Sequence, residues 1–327
     1  MSPPTAAPAA ETICVVGGGT IGSLFAAHLA RLGEVWVLTR RSDHAAAIRS
    51  DGITVTGKSQ FVARLQATAD PGELPPFGLA IVATKATELG AAVSQLSQVS
   101  PDAVLMTCQN GLGADAVVAR GGPWPVLSSV TFMSGTRHSD THVEYELDAP
   151  TWLGPSPCRP APAGTADDVA KRLVGGGLKA QAFDDVQPAL WSKLIFNATV
   201  NSVAALTQLP HDRHFRETAE LGDLGHLVRA LVEEGRAVAE AAGVTLHEDP
   251  WAMNLEAVRR GETGQGRYRH LPSMLEDVLA SRPTEVDFIT GALVRQGLEH
   301  GVPVPLHLAL YRLVKAREAA FAASELT

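Results

Sequence analysis

The chain has 327 residues, of which 45% are hydrophobic and 19% charged, and its formal net charge is −8. This length favours two domains, and the composition excludes a mainly disordered protein. The negative charge disfavours nucleic-acid binding, because the overall field repels a polyanion. No apolar run approaches the roughly 20 residues that cross a bilayer, so we expect no membrane association.

The first ten residues, MSPPTAAPAA, contain neither a basic segment nor an apolar one. They therefore predict a disordered tail and not a signal peptide. The cysteines, Cys14, Cys108 and Cys158, lack metal or CxxC spacing and are interpreted as reduced packing residues of a cytoplasmic protein. The eleven histidines show no paired spacing, so we expect no metal site.

Short apolar runs alternate with helical stretches from residue 12 to about 183, which is typical of a mostly parallel sheet wrapped by helices. Helices are predicted at 21–31 and 87–98, and antiparallel strands at 131–153. The predicted parallel strands are ICVV at 13–16, VWVL at 35–38, LAIVA at 79–83, AVLMT at 103–107 and PVLSSV at 125–130.

A Pro/Ala/Gly-rich loop at 155–164 precedes a short predicted helix and a strand at 179–183. After residue 184 nearly all of the sequence has helical periodicity, with Gly243 and Gly301 as predicted helix C-caps. We therefore predict an α/β protein with a tail at 1–10, a dinucleotide-binding domain at 11–184 and an all-helical catalytic domain at 185–327.

The segment ICVVGGGTIG contains Gly17, Gly19 and Gly22 in G-x-G-x-x-G order, between a predicted strand and a predicted helix. In this context the glycines permit a tight turn, close approach to a pyrophosphate and close packing of helix on strand. The motif predicts a Rossmann-type domain, and a glycine turn without a ligand is the alternative. The predicted cofactor residues are Gly17, Gly18, Gly19, Thr20, Ile21, Gly22, Arg40, Lys85 and Asn110.

The second strand ends at TRR, so Arg40 and Arg41 occupy the place where NAD-specific sites carry an acidic residue. Guanidinium groups pair with a 2′-phosphate, whereas a carboxylate repels it. We therefore expect NADPH/NADP as the cofactor. The alternative is that both arginines belong to a solvated rim.

The helix that opens the second domain carries Lys193, Asn197 and Asn201 at positions i, i+4 and i+8, which places them on one face. Asparagine is a poor helix former, so two on an apolar helix indicate a polar substrate site. A partly desolvated lysine there could donate a proton. The alternative is the solvent-facing side of an amphipathic helix.

Further along, Ser273 with Glu276 matches a helix capping box, and Thr284 with Asp287 matches a second one of T-x-x-D type. Capping is therefore an alternative to substrate binding for Ser273. Glu285 would lie in the first turn of a helix, where the dipole alone stabilises a carboxylate.

The sequence resembles the ketopantoate reductase (2-dehydropantoate 2-reductase) family over nearly its whole length. The shared motifs are GGGTIG, the Arg40 strand end, ATKA, QNGLG, LWSKLIFNATVNSVAAL and PSMLEDVLASRPTEVDFITG. The resemblance implies a C-terminal domain like that of 6-phosphogluconate dehydrogenase. Thr20 departs from the family, where a smaller residue is common.

The resemblance also implies roles in the NADPH-dependent reduction of 2-dehydropantoate to pantoate, a step of pantothenate biosynthesis. Lys193 would be the general acid, and Glu285 would hydrogen-bond the substrate beside it. The remaining implied contacts are Asn197 and Asn201 to the substrate hydroxyl end, Ser273 to its carboxylate, Asn110 to substrate and nicotinamide, and Lys85 near the cofactor.

Two other functions remain open from the residues alone. One is the reduction of a different small 2-oxo acid, and the other is a protein that senses NADPH without turnover. The sequence does not determine the oligomeric state, and a homodimer is among the states it leaves open.

Overall fold

The computed structural model describes residues 12–96, 99–216, 222–263 and 271–324, and the predicted tail at 1–10 lies outside these ranges. The described chain forms two compact units. The first contains the residues up to Gln109 and those from Ala114 to Val186, and the second contains Asn110–Gly113 and the residues from Gln187 onward. The sequence did not predict that Asn110–Gly113 would belong to the helical unit.

The first unit is built on twelve described strands. They are β1 Ile13–Val16, β2 Val35–Leu38, β3 Ile53–Gly57, β4 Phe61–Ala63, β5 Gln66–Thr68, β6 Leu79–Val82, β7 Val104–Thr107, β8 Val126–Thr131, β9 Ser134–Ser139, β10 His142–Leu147, β11 Thr151–Pro155 and β12 Ala180–Ala182.

The main sheet has the strand order β12-β11-β8-β7-β6-β1-β2-β5. The six strands from β8 to β5 in this order are parallel, and β11 pairs with β8 in the antiparallel direction. The chain leaves β1 first toward β2 and later returns to β6 on its other side, so the topological switch point lies between β1 and β6. This is the predicted doubly wound fold, and the five predicted parallel strands agree with β1, β2, β6, β7 and β8 to within one residue.

A second, smaller sheet has the order β4-β3-β10-β9. Strands β9 and β10 form the predicted antiparallel pair, but β10 also pairs in parallel with β3, far away in sequence. Strands β3, β4 and β5 had not been predicted. They are only three to five residues long. Strands β3 and β4 pair with each other as neighbours in sequence, whereas β5 pairs with the more distant β2.

Five α-helices accompany the strands of this unit, and all are short. They are α1 Thr20–Leu29, α2 Ser42–Asp51, α3 Leu89–Leu96, α4 Ala114–Gly121 and α5 Thr165–Gly175. Because parallel strands are buried on both faces, successive residues of β1 enter different cores. Val15 packs with Phe25 of α1 in one core, and Val16 packs with Leu89 of α3 in the other.

The described part of the second unit consists of helices and the segments that connect them, without a strand. Its helices are α6 Gln187–Thr207, α7 Asp223–Ala241, α8 Pro250–Thr263, α9 Ser273–Leu279, α10 Thr290–Glu299 and α11 Pro305–Ser324. The C-caps of α7 and α10 are Ala242 and His300, so Gly243 and Gly301 lie one residue beyond the predicted position. Both glycines have positive φ, 72° and 68°, and end their helices in the left-handed conformation. None of the helices in the described ranges combines the length and apolar character that crossing a membrane requires.

His28, at the end of α1, is a fully buried titratable group in the first unit. Its Nδ1 contacts the Gly176 carbonyl oxygen at 2.9 Å, and its ring packs edge-on against Phe61. Burial lowers the pKa of His28, an effect that the Gly176 hydrogen bond and Asp148 only partly oppose. The folded state therefore favours neutral His28 more than the unfolded state does.

This difference predicts a specific pH dependence of stability. Because the folded pKa of His28 is lowered, its contribution is complete above the unfolded value of about 6.5 and is lost as the pH falls toward the folded value. Urea unfolding at a series of pH values should show that His28→Gln reduces the acid loss of stability. His300→Gln, at an exposed position, is the control and should retain the wild-type slope. Identical slopes for wild type and His28→Gln would contradict this assignment.

Candidate active site

The glycine-rich turn joins β1 to α1 at the switch point of the main sheet. Gly17 has φ of 104°, and a Cβ atom on it would lie 3.0 Å from the backbone of Ala83 and Thr84 after β6. A Cβ atom on Gly22 would lie 1.9 Å from the Gly17 carbonyl oxygen. Both positions therefore require glycine, for the turn and for the close packing predicted from the motif.

Gly19 has a different environment, because a Cβ atom built on it would meet nothing within 4 Å. It is the N-cap of α1 and makes no side-chain capping hydrogen bond. The first N–H groups of α1 and the positive end of its dipole therefore adjoin open space. This arrangement fits a phosphate, and a dinucleotide pyrophosphate is the group for which the motif is suited.

The two arginines after β2 have different surroundings. Arg40 has a side chain that is 82% exposed, and its Nη1 lies 2.6 Å from Oε1 of Glu88. Arg41 pairs with Asp43 at 3.3 Å and also with Asp140. Two carboxylates thus hold Arg41, whereas one exposed carboxylate contacts Arg40. Of the two, Arg40 is therefore better suited to receive a phosphate.

Two buried polar atoms near the glycine turn were missed by the sequence analysis. The side-chain amide of Gln109 donates to the carbonyl oxygens of Val82 at 2.7 Å and Thr84 at 3.0 Å. Within the described chain, Gln109 Oε1 and Thr84 Oγ1 have no hydrogen-bond partner. Buried polar atoms are rarely left without partners, and these two are exceptions close to the glycine turn. Lys85, the next residue, is half-buried.

In the second unit, α6 is continuous over 21 residues and carries the predicted polar stripe. Asn197 and Asn201 are 8% and 5% exposed, and Lys193 is half-buried. A solvent-facing stripe would leave its side chains exposed, so the burial of both asparagines argues against that alternative. Buried amides require hydrogen-bond partners, which a polar ligand can supply.

Asn110 lies beside this stripe, because Asn110–Gly113 clusters with the helical unit. Asn197 Nδ2 donates to Asn110 Oδ1 at 3.4 Å. This hydrogen bond joins two of the predicted substrate residues. The two residues are 87 positions apart in sequence.

Both predicted capping boxes are wrong. The N-cap of α9 is Pro272, and Ser273 is the exposed first residue of the helix without a capping role. The next helix, α10, begins at Thr290, so Glu285 does not lie in a first helical turn. The Thr284 hydroxyl donates to Glu318 at 2.6 Å and accepts from the N–H group of Val286, not of Asp287 as a capping box would require, at 3.2 Å. Capping thus no longer competes with substrate binding as an explanation of Ser273.

Glu285 lies in a non-helical segment, residues 284–289, which we call the 284–289 turn. The carbonyl oxygen of Glu285 accepts from the N–H groups of Phe288 at 3.0 Å and Ile289 at 3.1 Å. Its side chain is half-buried. Among the residues that the structure describes, no cluster of His, Cys, Asp and Glu is arranged to hold a metal ion.

A doubly wound sheet with this glycine turn and a helical second unit define a Rossmann-type oxidoreductase. Two family models match the chain, "Ketopantoate reductase PanE/ApbA" over residues 13–157 and "Ketopantoate reductase PanE/ApbA C terminal" over residues 185–318. The chain belongs to the ketopantoate reductase family.

Relatives of similar length support this membership. The 2-dehydropantoate 2-reductase of Archaeoglobus fulgidus is 27% identical over 308 residues, which cover 94% of this chain and 98% of that protein. The 2-dehydropantoate 2-reductase of Vibrio cholerae is 28% identical over 313 residues, covering 94% and 97%.

Solved structures give the same result. The PanE/ApbA family ketopantoate reductase of Ralstonia eutropha has a TM-score of 0.81 and 26% identity, covering 95% of this chain and 99% of that one. D-mandelate dehydrogenase in a ternary structure with NADH and anilino(oxo)acetate has a TM-score of 0.81, with 21% identity and coverage of 95% and 99%. At that identity the second comparison establishes a shared fold.

The open space above Gly19 leads to a prediction about binding. Gly19→Ala should leave the thermal unfolding midpoint unchanged, because the new methyl group meets no protein atom. It should weaken dinucleotide binding about tenfold or more, because the methyl group occupies the path of the pyrophosphate. Isothermal titration calorimetry with NADPH measures the change.

Gly222→Ala is the matched control for this experiment. Gly222 is also a helix N-cap with negative φ and open space around it, but it begins α7 of the helical unit. Its affinity for the dinucleotide should equal that of the wild type. If Gly19→Ala binds as tightly as this control does, the turn is not the pyrophosphate site.

Proposed function

We propose that this protein is an NADPH-dependent 2-dehydropantoate 2-reductase, which reduces 2-dehydropantoate to pantoate in pantothenate biosynthesis. The observation that carries the proposal is the hydrogen bond between Asn197 and Asn110 in the helical unit, beside the half-buried Lys193. It joins two motifs that the family resemblance assigns to the substrate. Family membership and the curated relatives named above support the choice of substrate.

In the proposed reaction the cofactor, when bound, supplies a hydride to C2 of the substrate. Lys193 then donates a proton from its ammonium group to the C2 oxygen, so that the carbonyl becomes an alcohol. A lysine that is partly removed from water releases this proton more easily than an exposed one. Glu285 would accept a hydrogen bond from the substrate and hold it beside Lys193.

The remaining polar groups would orient the substrate. Asn197 and Asn201 would bind the hydroxyl end, and the exposed Ser273 its carboxylate. Asn110 would contact both substrate and nicotinamide, with Lys85 near the cofactor. Fixed geometry of this kind lowers the barrier because the entropy of alignment is lost on binding and not in the reaction step.

NADPH is proposed over NADH because of the residues that follow β2. Arg40 and Arg41 carry positive charge where a carboxylate would be expected for NAD. Within the described ranges the exposed carboxylate of Glu88 contacts Arg40, and a 2′-phosphate can replace it as a partner.

A second candidate is the reduction of a different 2-oxo acid. The structural neighbour D-mandelate dehydrogenase, solved with NADH and anilino(oxo)acetate, favours this candidate because the same fold there accommodates a different ligand and cofactor. Steady-state kinetics with NADPH and a panel of 2-oxo acids separates the two candidates. Equal or higher kcat/KM with another 2-oxo acid would reject 2-dehydropantoate as the substrate.

Replacement of the proposed general acid tests the mechanism and also the alternative of a non-catalytic NADPH sensor. Lys193→Ala should lower kcat by about 10²- to 10⁴-fold, because proton donation is lost, while the Kd for NADPH stays unchanged. Lys171→Ala, at an exposed lysine of α5, is the control and should keep wild-type kcat. Wild-type turnover by Lys193→Ala would remove Lys193 from the mechanism.

Cofactor preference is tested at Arg40. Arg40→Ala should weaken NADPH binding about ten- to a hundredfold, because a charge-assisted hydrogen bond is lost, and should leave NADH binding unchanged. Fluorescence titration with both cofactors measures this split. Arg64→Ala, at an exposed arginine of the same unit, should change neither affinity. Equal losses for NADPH and NADH in Arg40→Ala would contradict recognition of a 2′-phosphate.

A further inference from the structure

The 284–289 turn carries Glu285 and is not part of a regular helix, although the Glu285 carbonyl oxygen accepts from the N–H groups of Phe288 and Ile289. Its apolar residues, Val286 and Ile289, are 0% and 1% exposed, whereas Glu285, Asp287 and Phe288 are half-buried. Residues between helices can shift unless other groups hold them. The position of Glu285 therefore depends on what anchors the turn.

One set of anchors comes from α11. Tyr311, Lys315 and Glu318 are spaced so that they share one face of this helix. The carboxylate of Asp287 accepts from Tyr311 Oη at 2.7 Å and from Lys315 Nζ at 2.9 Å. Glu318 accepts from the Thr284 N–H group at 2.8 Å. The face of α11 thus holds both Thr284 and Asp287.

The opposite charges of Asp287 and Lys315 stabilise each other. Burial raises the pKa of Asp287, but the hydrogen bonds from Tyr311 and Lys315 outweigh it and lower that pKa below the ordinary value. The hydrogen bonds to Asp287 and Glu318 raise the pKa of Lys315. The two partners are therefore both ionised over the neutral pH range. In addition, Arg295 Nη2 donates to the Asp287 carbonyl oxygen at 2.9 Å.

The other side of the turn contacts the segment that carries Asn110. The Phe288 carbonyl oxygen accepts from the Leu112 N–H group at 3.1 Å. Gly111 has φ of 95°, and a Cβ atom on it would lie 1.9 Å from the same oxygen. The residue after Asp287 therefore contacts the backbone next to Asn110, whose side chain accepts from Asn197.

We propose that Asp287 is a positioning residue, which through Tyr311 and Lys315 fixes the 284–289 turn and thereby places Glu285 and Asn110 for substrate binding. The inference rests on the proposed function in one respect only, the substrate roles of Glu285 and Asn110. Both carboxylate oxygens of Asp287 are engaged by α11, so its effect on the substrate is indirect.

The test compares Asp287→Asn with Glu234→Gln in the full-length protein. Glu234 is a matched control, because its carboxylate anchors the other end of the same helix by accepting from the N–H groups of Leu306 and His307. Loss of either carboxylate should destabilise α11, but of these two residues Asp287 alone lies in the 284–289 turn. Tyr311→Phe is a milder second variant that removes one hydrogen bond from Asp287.

The first measurement is amide hydrogen exchange of the peptides that cover residues 108–114. Asp287→Asn and Tyr311→Phe should both accelerate exchange at Leu112, because the Phe288 carbonyl oxygen is no longer held in place. Glu234→Gln should leave this exchange unchanged. The proposal would be overturned, whatever the substrate is, if Asp287→Asn and Tyr311→Phe both left the exchange unchanged. It would also be overturned if Glu234→Gln accelerated the exchange equally.

The second measurement is steady-state kinetics with 2-dehydropantoate and NADPH. Asp287→Asn should lower kcat/KM about ten- to a hundredfold, mainly by raising KM for the oxo acid, with the Kd for NADPH unchanged. In the double variant Asp287→Asn/Tyr311→Phe, the decrease in the logarithm of kcat/KM should be smaller than the sum of the decreases in the two single variants. A KM equal to that of the wild type would overturn the positioning role.

The two measurements also separate this inference from the proposed function. If the wild type does not reduce 2-dehydropantoate, the proposed function fails. Accelerated exchange at Leu112 in Asp287→Asn and Tyr311→Phe, but not in Glu234→Gln, would then still support the anchoring of the 284–289 turn by α11.

Discussion

The backbone of Gly22 lies so close to the Gly17 carbonyl oxygen that a Cβ atom on residue 22 would be 1.9 Å from that oxygen. Because residue 22 has no side chain, α1 can begin immediately after β1. Leu24 and Phe25 of the helix can then enter the core together with Val15. The same arrangement leaves the first N–H groups of α1 beside the open space at Gly19. The cofactor turn and the core thus depend on one backbone contact.

The helical unit buries polar side chains among apolar ones. Asn197 and Asn201 lie on α6, and most of the residues around them on this helix are buried and apolar. A buried amide without hydrogen bonds costs free energy, so partners must be brought to it. Asn110 is one such partner, and it comes from a four-residue segment that the chain contributes between two elements of the other unit.

The charge distribution fits an acidic protein that binds an anion. The formal net charge of −8 gives no general attraction for a phosphate. Backbone N–H groups at a helix N-terminus do not depend on net charge and suit the pyrophosphate. Arg40 adds a local positive charge that is only lightly paired, whereas Arg41 is held by Asp43 and Asp140. Exposed ion pairs of this kind contribute little to stability, so Glu88 is easily exchanged for another anion.

What the sequence determined by itself was local. Local sequence patterns were enough to predict four features. They are the glycine turn, the apolar strands at 13–16 and 35–38, the helix ends near Gly243 and Gly301, and the stripe of Lys193, Asn197 and Asn201. The family resemblance rests on these same motifs. The roles of the site residues, which no contact to a ligand tests, stay predictions.

Only the tertiary structure decided which groups compete for a partner and which segments belong together. Thr284 resembled a helix cap in sequence, but its hydroxyl is held by Glu318, 34 residues away. Arg40 and Arg41 are adjacent in sequence, and the structure pairs Arg41 with Asp140, about a hundred residues further along the chain. The parallel pairing of β3 with β10 and the contact of Phe288 with Leu112 likewise join distant parts of the chain. The physical reason is that the periodicity of a segment shows which of its faces is buried, but not which distant residues that face contacts.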